Sequence, residues 1–359
     1  GDTVARLGGD EFTVLLEEAN DASEASAVAE RIHRSFSRPF LLGDHEVYTS
    51  TSIGIAMSSR HYERPEEILR DADTAMYRAK SLGKAQHAIF DSEMHAAARS
   101  LLRLHTDLRS AIQNEELEVQ YQPIVDLATG VVAGFEALVR WRHPDRGLIW
   151  PDEFIPIAEE TGLIEDVSMW ILRAAVTQIA RWRRSHPELP ELSVSVNLSS
   201  RSFGSARLVT AVEQVLEEAG VVAEALRVEV TEGTVMAHPS AADVLASLRA
   251  MGVRIYLDDF GTGYSSLAYL QRYPVDALKI DRSFIAKLTD PSDPTEIVGA
   301  IASLAHSMGL KVIAEGVQTP AQVERLRALG CDFGQGYLFS RPLDPAYAGA
   351  LLAEKPSWV

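Results

Sequence analysis

The chain has 359 residues, 46% hydrophobic and 24% charged, a length that favours two domains and a composition able to bury a core. A net charge of -17 argues against a nucleic-acid polymer as partner, since such binding runs on counterion release by lysine and arginine; a small anionic substrate recruited by local cations stays open. The single cysteine, Cys331, excludes an internal disulfide, and no apolar run reaches membrane-spanning length, so the cytoplasm is the expected compartment. The start at Gly1, without methionine and inside a strand-like run, gives the expectation of a fragment of a longer protein.

In chain order, residues 4–16 (VARLGGDEFTVLL) read as two strands around a Gly-Gly turn. Residues 21–36 form an amphipathic helix capped by Asp21 or Ser23. The β-branched run 46–58 reads as a strand, and 65–83 as a helix opened by Pro65 and closed by Gly83. Residues 93–113, with Leu101, Leu104, Leu108 and Ile112 on one face, form a connecting helix. The expected division is therefore 1–92, the connector 93–113, and 114–359. The last part carries strand-like runs at 118–124, 131–141, 192–199, 226–232, 253–260, 275–281, 310–317 and 333–339, most of them separated by helical segments such as 294–309. This α/β pattern predicts a (β/α)8 barrel. The first two runs are joined only by the short LATG turn, so they should be antiparallel. A doubly wound open sheet is the rival, but no glycine-rich phosphate fingerprint follows an early strand.

FEALVRW, residues 135–141, is apolar apart from Glu136 and Arg140. A carboxylate in such a strand needs an ion pair with Arg140, a metal ion, or exposure at the strand end. The other strands decide among these. Asn197 ends the third, Glu229 and Glu232 the fourth, Asp258 and Asp259 the fifth, Lys279 and Asp281 the sixth and Glu315 the seventh; Gln335 lies on the eighth. One strand-end carboxylate is commonly a cap or a solvated rim residue. So many on consecutive strands would converge on the C-terminal rim of a barrel. Carboxylates so gathered stay ionised only beside cations. Oxygen and amide donors without a Cys or His cluster select hard ions, Mg²⁺ or Mn²⁺, over zinc. The adjacent Asp258 and Asp259 suit a metal pair, an arrangement used in phosphodiester cleavage. That leaves Arg140 for an anionic ligand. His143 is expected to be structural.

FEALVRW, NLS at 197–199, EVTE at 229–232, DDFGTGYSSL at 258–267, KID at 279–281, AEGV at 314–317 and GQGYLFSRP at 334–342 together resemble the EAL domain, a family of cyclic di-GMP phosphodiesterases. The resemblance covers about residues 105–355. It implies a modified TIM barrel with its first strand reversed, and hydrolysis of cyclic di-GMP to linear pGpG with two Mg²⁺ or Mn²⁺ ions. By the same resemblance, Glu136, Asn197, Glu229 and Asp258 would hold one metal, and Asp258 and Asp259 the second. Lys279 would polarise the attacking water. Glu315 would act as general base or reach the second metal through water, and Gln335 would hold a metal-bound water. Glu232 would position the DDFGTGYSS loop, which couples dimerisation to activity. Gln122 and Arg140 would contact the guanine and phosphate parts of the ligand. A homodimer through the barrel is implied as well.

Gly8, Gly9, Asp10, Glu11 and Phe12, with SIGIA at 52–56 and DADTAMYRAKSLGK at 71–84, resemble the second half of a GGDEF domain, the diguanylate cyclase family, of α+β fold. The resemblance implies that Glu11 binds metal and Lys80 a triphosphate, so GTP is a candidate partner. The upstream part of that site is missing from this chain, so a truncated, inactive domain is expected. The alternatives are a receptor that binds cyclic di-GMP without turnover, and a longer bifunctional cyclase and phosphodiesterase.

Overall fold

A computed structural model describes the chain apart from residues 1, 20, 44, 59–61, 82–84, 205–206, 239, 262–272, 289–295, 357 and 359, with backbone alone over 92–102 and at 45, 81, 200, 204, 237 and 296. It divides into two compact units, Gly1–Leu104 and His105–Val359, and the division falls inside the helix Ser92–Gln113. Among the described residues no helix is long and apolar enough to cross a membrane.

In the first unit, strands Thr3–Gly8 and Glu11–Leu15 pair antiparallel around a Gly9–Asp10 turn, one residue on from the expected Gly-Gly pair, since Gly8 still pairs with Glu11. Asp21 caps the helix Ala22–Phe36, its carboxylate accepting from the Ser23 and Glu24 backbone N–H groups. That helix packs Ala25 and Ala29 against Ile55. The single strand expected over 46–58 is two strands with different partners. His45–Val47 pairs antiparallel with Phe40–Leu42, whereas Ile53–Ile55 pairs parallel with His87–Ile89. The β-branched run is continuous in sequence, but tertiary pairing splits it. The next helix runs Pro65–Ser81, and its expected closing residue, Gly83, lies outside the described residues.

The second unit is built on eight strands: β1 (Leu117–Asp126), β2 (Val132–His143), β3 (Ser193–Asn197), β4 (Leu226–Thr231), β5 (Arg254–Phe260), β6 (Ala277–Ile280), β7 (Lys311–Ala314) and β8 (Phe333–Gln335). Neighbours from β3 to β8 pair in sequence, β8 pairs with β1, β1 with β2, and β2 returns to β3, which closes the barrel. All pairs are parallel except those of β1, which runs antiparallel to both β2 and β8. The reversed first strand is thus present. Its turn is fixed by Asp126, whose Oδ1 accepts from the Ala128 and Thr129 N–H groups. A short extra strand, Gly147–Ile149, pairs with the far end of β2.

Alternation along each strand sorts the side chains. Val228, Val230, Ile255, Leu257, Leu278, Ile280 and Val312 face outward and are buried. Helices such as Ile164–Ser185 cover the barrel and contribute Val167, Leu172, Val176 and Ile179 to the core. Each such side chain contributes about 1.5–3 kcal/mol on burial. Inside, Ile124, Tyr256, Ala277 and Ile313 pack together with Phe333 as an apolar floor. The next inward positions toward the C-termini of the parallel strands are Asp258, Lys279, Glu315 and Gln335, joined from the reversed β1 by Gln122. The polar cluster therefore stands on an apolar plug.

Candidate active site at the C-terminal rim

Lys279, only 1% exposed, lies at the centre of the rim. Its Nζ is 2.6 Å from Glu229 Oε2, 2.5 Å from Glu315 Oε1, 3.2 Å from Asp258 Oδ1 and 3.5 Å from Glu136 Oε2. Glu136 accepts from two amides: Asn197 Nδ2 at 2.8 Å and Gln335 Nε2 at 2.6 Å. Gln335 also donates to Gln122 Oε1 at 3.0 Å, and Gln122 donates to the Ser340 carbonyl. Gly336 makes this arrangement fit, since a Cβ there would come within 2.2 Å of the Val317 N. Val317 N–H in turn donates to the Gln335 carbonyl.

This geometry accounts for the carboxylate in FEALVRW: Glu136 pairs across the barrel with Lys279 and not with Arg140. Arg140 Nε donates to Gln120 Oε1 at 3.1 Å, its Nη1 donates to the Val139 carbonyl, and its guanidinium stacks 4.6 Å from the Trp150 ring. Sequence reading gave Gln120 and Trp150 no role. The signal for Trp150 was a tryptophan directly before Pro151, at a helix N-cap where a small polar residue is favoured.

Electrostatics divides the carboxylates. Burial pushes Glu136 up, but Lys279 and the amides of Gln335 and Asn197 outweigh it and hold its carboxyl low. Burial and the Glu136 charge drive Glu229 well above the ordinary range against the pull of Lys279. Glu315 is pushed up to about 7 by burial, with Lys279 opposing and Asp258 adding to the rise. Burial and then Asp258 raise Asp259. Burial disfavours the Lys279 charge, but the surrounding carboxylates, Glu136 and Glu229 foremost, more than compensate and keep it protonated.

Asp259 has φ of +54, a left-handed backbone that aspartate tolerates better than most residues, and its N–H donates to Asp258 Oδ1 at 3.0 Å. Glu232 Oε1 accepts from the Gly261 N–H at 3.5 Å, at the start of the loop expected to depend on it. The GTGYSSL half of that loop is outside the described residues apart from Gly261. His143 is structural: its Nδ1 accepts from the Asp145 and Arg146 N–H groups and its Nε2 faces Asp107 at 3.3 Å. In the other unit, the Gly8–Phe12 turn is exposed and Arg6 donates to the Gly9 carbonyl.

The donor set fits divalent cations. Glu229 is fully buried, yet its Oε1 has no hydrogen-bond partner, and neither has the buried Gln335 Oε1. Asp258, Asp259 and Glu315 offer carboxylate oxygens all within 4.8 Å of one another, the only such group among the described residues. Four carboxylates, Glu136, Glu229, Asp258 and Glu315, share one lysine, and Asp259 adds a fifth beside Asp258 and Glu315. Hard oxygen donors with excess negative charge are what Mg²⁺ and Mn²⁺ bind.

Comparison with known proteins agrees with this geometry. The family model "EAL domain" matches residues 105–342, and "Diguanylate cyclase, GGDEF domain" matches residues 1–86. The bifunctional diguanylate cyclase/cyclic di-GMP phosphodiesterase MucR of Pseudomonas aeruginosa is 45% identical over 95% of this chain and 50% of its own length. The cyclic di-GMP phosphodiesterase PdeR of Escherichia coli is 41% identical over 96% of this chain and 51% of its own. The chain thus spans about half the length of these curated relatives. A solved complex of PaMucR phosphodiesterase with c-di-GMP superposes with a TM-score of 0.65 at 44% identity, over 68% of this chain and 99% of that one. Barrel topology, rim residues and these matches together make the chain a member of the EAL domain family, with a GGDEF segment ahead of its barrel.

Proposed function

We propose that the barrel hydrolyses cyclic di-GMP to linear pGpG. The observation that supports the reading is the rim itself: Glu136, Glu229, Asp258, Lys279, Glu315 and Gln335 gather there, and two buried oxygens among them lack partners. Glu136, Asn197, Glu229 and Asp258 would hold one divalent ion, and Asp258 and Asp259 the other. Those ions, Mg²⁺ or Mn²⁺, supply positive charge against the phosphodiester and its leaving oxygen.

The protein groups have distinct tasks. Lys279 holds Glu136 in its charged form and presents a fixed cation toward the phosphate. Glu315, its carboxyl pushed up to about 7 by burial, is suited to take a proton at neutral pH. The free Oε1 of Gln335 is placed to orient a water, while its Nε2 fixes Glu136. Arg140 offers a guanidinium for the substrate's phosphate, and Gln122 contacts the guanine part while bracing Gln335. Glu232 holds the start of the loop after β5 through Gly261.

The same reading includes GTP at the Gly8–Phe12 hairpin, a homodimer through the barrel, residues 93–113 as a connector and a cytoplasmic setting; these rest on the family resemblance and on composition. The test is incubation with cyclic di-GMP and Mn²⁺ or Mg²⁺, an EDTA control and chromatography of the products. Metal-dependent pGpG supports the phosphodiesterase. Tight binding without product supports the receptor alternative instead.

A further inference from the structure

Trp150 breaks a local rule. It occupies the N-cap of the helix Pro151–Thr161 in extended backbone, φ -86 and ψ 154, and makes no capping hydrogen bond. Serine, threonine or aspartate there would stabilise the helix by about 1 kcal/mol. Trp150 is also 55% exposed, so the position gains only part of what a buried tryptophan would. Violations of local preference without a packing gain mark functional positions.

The surroundings say what the indole does. The Arg140 guanidinium lies 4.6 Å from the ring centre and is itself 4% exposed. Arg140 is fixed from the strand side by Gln120 and the Val139 carbonyl, so it holds the indole in one place. Arg140 is on the same strand as Glu136, four residues on and on the same face, which sets the tryptophan about 13 Å along the strand from the carboxylate cluster. Tyr337, two residues past Gln335, is a second exposed ring at this rim. It is also 55% exposed and is backed by the Arg341 guanidinium at 4.5 Å. Two exposed rings, each backed by an arginine, flank the site.

We infer that Trp150 is a specificity-determining residue: its open face is a stacking platform for a purine base of the nucleotide substrate, with Arg140 as the brace behind it. The inference rests on the phosphodiesterase reading. Stacking scales with ring size, so a purine gains more than a pyrimidine.

The experiment uses the full chain and compares cyclic di-GMP with cyclic di-UMP in steady-state turnover, in wild type, Trp150→Ala and Trp150→Phe. In W150A the KM for cyclic di-GMP should rise more than kcat falls, and the kcat/KM preference for cyclic di-GMP over cyclic di-UMP should drop by about tenfold. W150F should keep most of that preference, because a phenyl ring still stacks. An unchanged preference overturns the platform; equal losses on both substrates would mean that Trp150 merely holds Arg140. If the wild type turns over neither nucleotide, the phosphodiesterase reading fails on its own. Indole fluorescence titrated with cyclic di-GMP in EDTA then decides the platform. Quenching in wild type that is lost in W150F supports it, and no difference overturns it.

Discussion

The two ends of the barrel use carboxylates in opposite ways. At the C-terminal rim one ammonium, Lys279, is surrounded by Glu136, Glu229, Asp258 and Glu315, and Glu229 Oε1 has no partner. At the N-terminal rim two aspartates are surrounded by donors. Asp276, just before β6, accepts from the Ile255 N–H of β5 at 2.9 Å and pairs with Arg254 at 3.1 Å and Arg249 at 3.3 Å. Asp332, just before β8, accepts from the Val312 N–H of β7 at 2.9 Å and pairs with Lys311 at 2.7 Å and His306 at 2.9 Å. The lower aspartates tie the start of one strand to the next and are satisfied by the protein alone. The upper carboxylates outnumber their cation and leave work for ions from solution. Stability sits at one end and chemistry at the other.

The contrast breaks most visibly at Glu229. Its buried carboxyl is raised by burial and by Glu136, so its charge opposes folding while serving the site. Glu229→Gln should lower cyclic di-GMP turnover by at least about a hundredfold, as expected when a metal ligand loses its charge. The same variant should unfold no earlier than wild type in EDTA. Retained turnover would remove Glu229 from the catalytic set; a clear loss of stability would mean its charge holds the barrel together.

Lys279→Met tests the other side of the same cluster. Removing one partner of a buried ion pair costs about 3–5 kcal/mol, here because four carboxylates lose their counter-charge. The thermal midpoint in EDTA should fall accordingly. Mg²⁺, binding the native state only, should recover part of that loss and should raise the midpoint of wild type too. A variant indifferent to Mg²⁺ would mean that the carboxylates do not gather ions.

The barrel was legible in the sequence because its strands are apolar on both faces below the rim and end in polar residues. Glu136, Glu229, Lys279 and Gln335 could be set on one rim from strand position alone. The reversal of β1 followed from a turn too short for a crossover. What the sequence concealed were partners distant along the chain. Glu136 and Arg140 are four residues apart and look like a pair, yet each finds its partner elsewhere, on β6 and β1 respectively. The N-terminal rim aspartates were passed over because Asp276 and Asp332 read as ordinary loop acids until their donors from the neighbouring strands are known. The break in the run 46–58 was hidden for the same reason: β-branched residues favour a strand without saying with whom it pairs.

Asp332→Asn sharpens the comparison from the stable end. It keeps the shape and one acceptor but removes the charge that Lys311 and His306 face. Hydrogen bonds to a charged group contribute about 1.5–3 kcal/mol, so urea unfolding at pH 7 should show a loss of that order. Turnover per folded molecule should stay within about twofold, since Asp332 lies at the far end of the barrel from Glu315. The pH dependence has a definite sign. Burial pushes the Asp332 carboxyl up, but His306, Lys311 and the Val312 N–H prevail and hold it below the ordinary 3.8. A carboxyl depressed in the native state stabilises the fold above its unfolded-state pKa and loses that contribution as pH falls through the native value. The gap between wild type and D332N should therefore be full at pH 7 and close only in acid, below about pH 4. A gap that is constant down to pH 3 would mean that the aspartate acts by shape and not by charge, and the division of labour between the two rims would lose its electrostatic basis.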